Sequence, residues 1–279
     1  MTFAVCGGDL RSVYLVHRLL RDGHSVRCWG LDTADIPLHC HCDTPTGAFI
    51  GAQCIILPTP AFVGGMLHAP FGSMPLSMEV LSAALPPRIP IFGGSISEAV
   101  RLQWASQRVE LVDLLSIEAL AVKNAALTAE CALQLILQGI PDSLMGQSVL
   151  ILGAGRIGKL LGLKLRALGA QVTVSARREE DKAWCAALDL TPADTADLSH
   201  LLPCCRLLVN TIPAQVLSLP QLQLLPKDAL LFELASKPGG FHQAPDSLNI
   251  IHCGGLPGKY APRSAADAIA ESIYHRLEC

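Results

Sequence analysis

The sequence predicts an α/β protein: two doubly wound parallel-sheet, Rossmann-like domains joined by a long helix, with a C-terminal helix returning to the first domain. Three observations predict it. Short apolar strands alternate with amphipathic helices along the chain. A strand, glycine turn, helix, strand unit occurs at the N-terminus and again after residue 148. Between these runs, Ile117 to about Gln138 is helical in pattern, with Leu120, Ala121, Asn124, Leu127, Thr128, Cys131 and Leu135 at helical spacing. The expected division is residues 1–117, with helix 264–279 packing back, and residues 118–263.

In order along the chain, Phe3–Cys6 is an apolar strand, and Gly7-Gly8-Asp9 turns into a helix through about Leu20. Gly23 stops that helix before a second strand, Ser25–Trp29. Further strands are expected at Cys54–Leu57, Ile89–Phe92 and Val109–Val112, with helices over Ser77–Leu85 and Ser97–Ser106. Parallel sheets of this kind bind ligands beyond the carboxyl ends of their strands. Here those ends are Gly7-Gly8-Asp9, Pro58-Thr59-Pro60 and Gly93-Gly94-Ser95, so Gly8, Asp9, Pro58 and Thr59 are candidates for a small polar ligand. Turn chemistry alone also accounts for proline and glycine there. On the long helix, Asn124 and Thr128 lie a turn apart on one face and are candidates for a cleft between the domains, whereas Glu130 is expected to face solvent.

The second half carries the most specific signal. Val149–Leu152 is a buried strand, Gly153-Ala-Gly155-Arg156-Ile157-Gly158 opens a helix, and Gln171–Ala176 is the next strand. G-x-G-x-x-G alone arises by chance, but this strand–helix–strand context is what a dinucleotide fingerprint requires. Gly153 permits the turn, Gly155 lets backbone approach a pyrophosphate, and Gly158 lets helix and strand pack closely. The helix N-terminus, including Arg156 and Ile157, offers free N–H groups to the phosphates. After the second strand an NAD site usually places Asp or Glu to accept from the ribose hydroxyls. This chain has Ser175-Ala-Arg177-Arg178, a hydroxyl and two guanidiniums that suit a 2′-phosphate, so the cofactor is read as NADP, with NAD still open. The plain alternative is that both arginines solvate the start of the next helix. Three more strands follow: Arg206–Asn210, ending on Thr211, Ile212 and Pro213; Ala229–Glu233, ending on Ser236, Lys237 and Gly239-Gly240; and Ile250 onward to Pro262. Ser264–Leu277 is the last helix.

At 279 residues, 51% hydrophobic and 16% charged, the chain can bury two cores. A net charge of −3 gives no support for nucleic acid or an anionic membrane as a partner. Residues 44–78 lack Lys, Arg, Asp and Glu, yet prolines and glycines interrupt them, leaving no continuous span of ~20 apolar residues. The N-terminal segment reads as a strand rather than a signal peptide, and a soluble, cytoplasmic protein with free thiols is expected. His39-Cys40-His41-Cys42 alternates sides on an extended segment and has no second ligand pair at zinc-finger spacing, so no metal site is read.

Taken together, Asn124-x3-Thr128-x-Glu130, Gly153-x-Gly155-Arg156-x-Gly158, Ala176-Arg177, Asn210-Thr-Ile-Pro213, Leu234-Ala-Ser236-x-Pro238-Gly239-Gly240 and Gly255-Leu-Pro-Gly258-x-x-Ala261-Pro262 resemble the A-subunit family of dipicolinate synthase from spore-forming bacteria. Gly7-Gly8-Asp9 and Leu57-Pro58 fit as well. A departure is Lys237, where the family leads one to expect Arg: charge is kept, bidentate geometry is not. The resemblance implies oxidation of a dihydrodipicolinate-type precursor to pyridine-2,6-dicarboxylate with NADP accepting hydride. It also implies a partner, a flavoprotein-like B subunit, together with an oligomer and the mother cell of a sporulating bacterium. Asn124, Thr128, Ser236 and Lys237 are then the catalytic candidates, with Asn124 and Lys237 also holding substrate carboxylates. No general base is assigned among His68, Glu130, His242 and His252, the last expected to be packed within its strand. Two other classes stay open: a nucleotide-binding protein with a regulatory or assembly role, and a dehydrogenase of this architecture acting on another small carboxylate.

Overall fold

Alternating apolar side chains build the first sheet. In β1 (Thr2–Cys6), Phe3 and Val5 join the core on one side, and Ala4 and Cys6 the core on the other. The structure, a computed structural model, describes residues 1–105, 109–236, 238–241, 244–245 and 247–278. After β1 come α1 (Leu10–Arg21), β2 (Ser25–Trp29), α2 (Pro45–Phe49) and β3 (Cys54–Ile56). A short antiparallel hairpin, Phe62–Val63 with Met66–Leu67, precedes α3 (Met78–Ala84), β4 (Pro90–Gly93), α4 (Glu98–Ala105) and β5 (Glu110–Asp113). The strands are all parallel, in the order β2-β1-β3-β4-β5, with Val5 opposite both Cys28 and Ile56.

The chain then enters α5 (Glu118–Gly139) and a second sheet. Its elements are β6 (Ser148–Leu152), α6 (Arg156–Ala167), β7 (Gln171–Ala176), α7 (Glu179–Ala187), β8 (Thr191–Asp194), β9 (Leu207–Asn210), α8 (Leu219–Leu222), β10 (Leu230–Glu233) and β11 (Asn249–His252). These strands are also parallel, in the order β8-β7-β6-β9-β10-β11, which reverses direction between β6 and β9. Such a switch point leaves a crevice at the carboxyl ends of the two central strands. Leu150, Leu152, Leu208 and Leu231 form one core with Leu198, Leu202, Leu222 and Phe241. Ile151 faces α6, where Gly158 and Gly162 allow the close approach.

The chain ends in α9 (Leu256–Tyr260) and α10 (Pro262–Leu277). Ala266, Ala270 and Ile273 of α10 join Val13, Val16 and Leu19 of α1 in the first core. Arg18 ties the two helices further, bonding Asp22 at 2.6 Å and Asp267 at 2.8 Å. One compact unit is therefore Met1–Asn124 with Gly258–Cys279, and the other is Ala125–Pro257. Among the described residues α5 is the one helix long and apolar enough to cross a membrane, with 22 residues and a mean hydropathy of 1.3. Its Leu120 lies in the first core, and Ala129, Ala132 and Ile136 are fully buried.

Three local expectations are corrected. Leu38–Cys40 is a 3-10 turn rather than extended, and His41 bridges Cys28 of β2; Cys40 is consequently buried and His39 exposed. The third strand of the second half stops at His252, after which Leu256–Tyr260 is helical, because Pro257 sits at a helix start where its missing N–H costs nothing. His252 is exposed at its strand end, not packed.

Candidate functional site

The glycine turn after β6 shows which glycines the chain itself needs. Gly153 has φ +103°, and a Cβ there would lie 2.6 Å from Thr211 Oγ1 and 2.7 Å from Ile212 Cγ1. A Cβ on Gly158 would lie 1.9 Å from the Gly153 carbonyl oxygen. Gly155 differs: its φ is −74°, and nothing lies within 4 Å of where its Cβ would be. Neither backbone conformation nor packing asks for glycine there. It is also the N-cap of α6 and, having no side chain, offers no cap of its own to the first turn of that 12-residue helix. Open space at the start of a helix whose N-cap has no side chain fits a phosphate that must approach the backbone.

That turn floors a cavity of about 680 Å³. Gly153, Gly155, Arg156, Ser175, Arg177, Arg178, Thr211, Ile212 and Pro213 of the sequence-predicted cofactor residues line it, and Ile157 does not. Lys159, Asp181 and Thr195 line it too, and sequence reasoning passes over all three. Buried Ser175 sits against the turn, its backbone carbonyl accepting from Gly153 N–H at 3.2 Å. Thr195 Oγ1 is buried and has no hydrogen-bond partner among the described residues.

The two arginines are not equivalent. Arg178, the N-cap residue of α7, pairs with Glu180 at 2.7 Å and with Asp181 at 2.8 Å. Lys159 reaches the other Asp181 oxygen at 3.0 Å. Hydrogen bonds first from Arg178 and then from Lys159 hold the Asp181 carboxyl below its ordinary range. Arg177 is exposed and makes no ion pair with a described residue. It is the uncommitted guanidinium of the pair.

At the ends of β9 and β10 a buried carboxylate organises the neighbouring loops. Glu233 is 5% exposed and stands opposite Asn210 in the sheet register. Its carboxylate accepts from Asn210 Nδ2 at 2.8 Å, Ala235 N–H at 3.1 Å and Gly240 N–H at 2.7 Å. Asn210 also donates to the Ile212 carbonyl at 2.8 Å and accepts from Ile212 N–H at 3.1 Å. Thr211 gives its hydroxyl proton to the Leu152 carbonyl at 2.8 Å, fixing the loop to the glycine turn. Ser236 is exposed and its carbonyl accepts from Gly239 N–H. Lys237 and His242 lie outside the described residues.

In the first unit, Gly8 and Asp9 follow β1, and Pro58 and Thr59 follow β3. The Asp9 carboxylate caps α1 and is gripped by Arg11 through Nε at 2.9 Å and Nη2 at 2.8 Å. Arg11 also donates to the Thr59 carbonyl. Sequence reasoning names Asp9 and misses Arg11, the cation beside it. Burial alone would raise the Asp9 carboxyl, but the bonds and charge of Arg11 outweigh it and hold it below the usual range. Its contribution to stability is therefore full above the unfolded value of about 3.9 and fades as pH falls through the lower folded value. Asp9→Asn is expected to flatten the acid limb of a plot of melting temperature against pH below about 4 and leave the shape of the neutral region unchanged. Asn124 is half-buried, Thr128 is buried and Glu130 is exposed. Asn124 closes the first unit's long segment, and Thr128 belongs to the second.

Comparisons with known proteins agree with these two halves. Residues 2–115 match the family described as the N-terminal domain of the dipicolinate synthase A subunit. Residues 135–235 match the NAD-binding domain of D-isomer specific 2-hydroxyacid dehydrogenases, the mark of a nicotinamide dinucleotide domain. The dipicolinate synthase A subunit of Bacillus subtilis strain 168 is 29% identical over 282 residues, covering 98% of this chain and 94% of that protein. A crystal structure of the B. subtilis protein superposes with TM-score 0.84 at 26% identity, covering 100% of this chain and 96% of that one. The corresponding structure from Bacillus halodurans has the same fold, with TM-score 0.85 at 24% identity over 99% of this chain and 97% of that one. The chain is thus similar over nearly its whole length to dipicolinate synthase A subunits, with the N-terminal domain of that family matched in its first half and a dehydrogenase NAD-binding domain in its second.

Proposed function

We propose that the chain is the oxidoreductase component of a dipicolinate synthase, oxidising a dihydrodipicolinate-type precursor to pyridine-2,6-dicarboxylate with NADP as hydride acceptor. The observation that carries this reading is the cavity over α6: a glycine N-cap with open space beside it at the start of the helix, and Arg177 where an NAD site would place a carboxylate. The bound nicotinamide supplies a ring that accepts hydride. The chain's own residues bind and orient. N–H groups at the start of α6, with Arg156 beside them, hold the pyrophosphate. Arg177 meets the 2′-phosphate, and the Thr195 hydroxyl is free for the adenosine. The loops fixed by Asn210 and Glu233 serve the nicotinamide end.

In the same reading the small dicarboxylate is met by the Gly8-Asp9 and Pro58-Thr59 loops, with Arg11 as the cation there. Asn124, Thr128, Ser236 and Lys237 remain the catalytic candidates that the resemblance implies. The partner is a flavoprotein-like B subunit, carried over from the family relationship.

Replacing Arg177 by alanine is expected to weaken NADP binding about tenfold or more and leave NAD nearly unchanged, since a charge-assisted contact contributes ~1.5–3 kcal/mol. Arg178→Ala is expected to do less, because its guanidinium is already paired. Titration calorimetry with both cofactors reads the difference; equal loss for both returns Arg177 to a solvating role. The reaction itself is tested by absorbance at 340 nm with purified chain, NADP and dihydrodipicolinate, with and without the B subunit. NADP binding with no absorbance change in either case favours the regulatory or assembly role. Turnover only with other dicarboxylates favours a dehydrogenase of different substrate.

A further inference from the structure

On the α7 side of the cavity a carboxylate is held between two cations. The Asp181 carboxylate stands between Lys159 Nζ at 3.0 Å and Arg178 Nε at 2.8 Å, and all three residues line the cavity that also contains Arg177. The Asp181 side chain is 17% exposed and that of Lys159 24%, so this pair is shielded from bulk solvent better than a rim contact. One carboxylate bridging two cations is the charge pattern that a phosphate monoester would otherwise complete.

We propose that Asp181 is a specificity-determining residue, an internal anion that competes with the 2′-phosphate for Lys159 and Arg178 and so limits the preference of the site for NADP over NAD. This rests on the dinucleotide reading of the cavity. With Asp181 charged, a 2′-phosphate finds Arg177 unopposed but meets a negative carboxylate beside it. Without that charge, Lys159 is released beside Arg177, and Arg178 keeps only its pair with Glu180. A 2′-hydroxyl carries no charge and gains little from the change. Asp181 thus acts on the difference between the cofactors rather than on their shared parts.

The test uses the full chain and two probes that isolate this end, adenosine 2′,5′-bisphosphate and adenosine 5′-monophosphate, alongside NADP and NAD. Asp181→Asn keeps the shape and removes the charge. The bisphosphate and NADP are expected to bind about tenfold more tightly, with the monophosphate and NAD within about twofold of the original. Adding Lys159→Gln to Asp181→Asn is expected to abolish most of the gain, and raised salt to shrink it. Asp181→Ser serves as a second variant if Asp181→Asn melts early. An unchanged NADP-to-NAD ratio in both variants, or equal gains for both probes, overturns the proposal while leaving the dinucleotide reading in place. Failure of the unmodified chain to bind either cofactor removes that reading and the proposal with it.

Discussion

Gly158→Ala is expected to destabilise the second unit severely, while Gly155→Ala leaves it folded and blind to dinucleotides. The added methyl at 158 would sit 1.9 Å from the Gly153 carbonyl oxygen. That oxygen is backbone, held in the turn between β6 and α6, so no flexible side chain can swing away. Relief requires α6 to lift from the sheet, which opens contacts such as that between Ile151 and the Gly158–Gly162 face. Overpacking in a core costs ~1–3 kcal/mol even where side chains yield, and more is expected here. Against a stability of ~5–15 kcal/mol this is a large fraction. At 155 the methyl meets nothing within 4 Å and φ is ordinary, so stability is expected to hold or rise slightly. Its methyl nonetheless occupies the space through which a pyrophosphate reaches the α6 N–H groups, and Gly155→Val fills it further. Thermal melts and NADP titrations of these variants separate the roles. A Gly158→Ala chain melting with the original, or a Gly155→Val chain binding normally, would refute the corresponding half.

Glu233→Ala is expected to cost about 3 kcal/mol or more, measured by urea denaturation. The carboxylate is the common acceptor for Asn210 Nδ2 and the N–H groups of Ala235 and Gly240. Truncation leaves those donors facing a void in a nearly closed site, and each unmet buried donor carries a penalty. Gln is no rescue. Its amide nitrogen would point a donor at one of the donors the carboxylate now satisfies. A double-mutant cycle with Asn210→Ala is expected to show coupling above about 1 kcal/mol, because the pair forms one network. Additive losses would mean that the two side chains hold their loops independently.

Much of this is legible in sequence because periodicity is a local signal. Gln171–Ala176 can be placed to the residue, its apolar positions alternating before a polar end. The Ser77–Leu85 helix is placed to within a residue at each end, with Ser77 as its cap, whereas the last helix begins at Pro262, two residues before the predicted Ser264. What escapes a reading of the sequence depends on neighbours brought together by the sheet. Glu233 reads as a stray acid at the end of an apolar strand until the register sets it opposite Asn210. Arg177 and Arg178 look alike in sequence, and only the turn of α7 delivers Asp181 to one of them. The spacing from Arg178 to Asp181 does carry that signal, being one helical turn. Lys159 cannot be foreseen, since it comes from a different element.

The first unit is assembled from the two ends of the chain, and this sets an order of events during synthesis. The nucleotide-binding unit, Ala125–Pro257, leaves the ribosome complete while the first unit still lacks its closing helix. Until α10 emerges, Val13, Val16 and Leu19 of α1 have no cover from Ala266, Ala270 and Ile273. A nascent chain halted before Pro262 therefore carries a finished second unit and a sticky, half-closed first one, the kind of surface on which chaperones act. Completion of the first unit waits for α10, although its sheet is translated before the second unit.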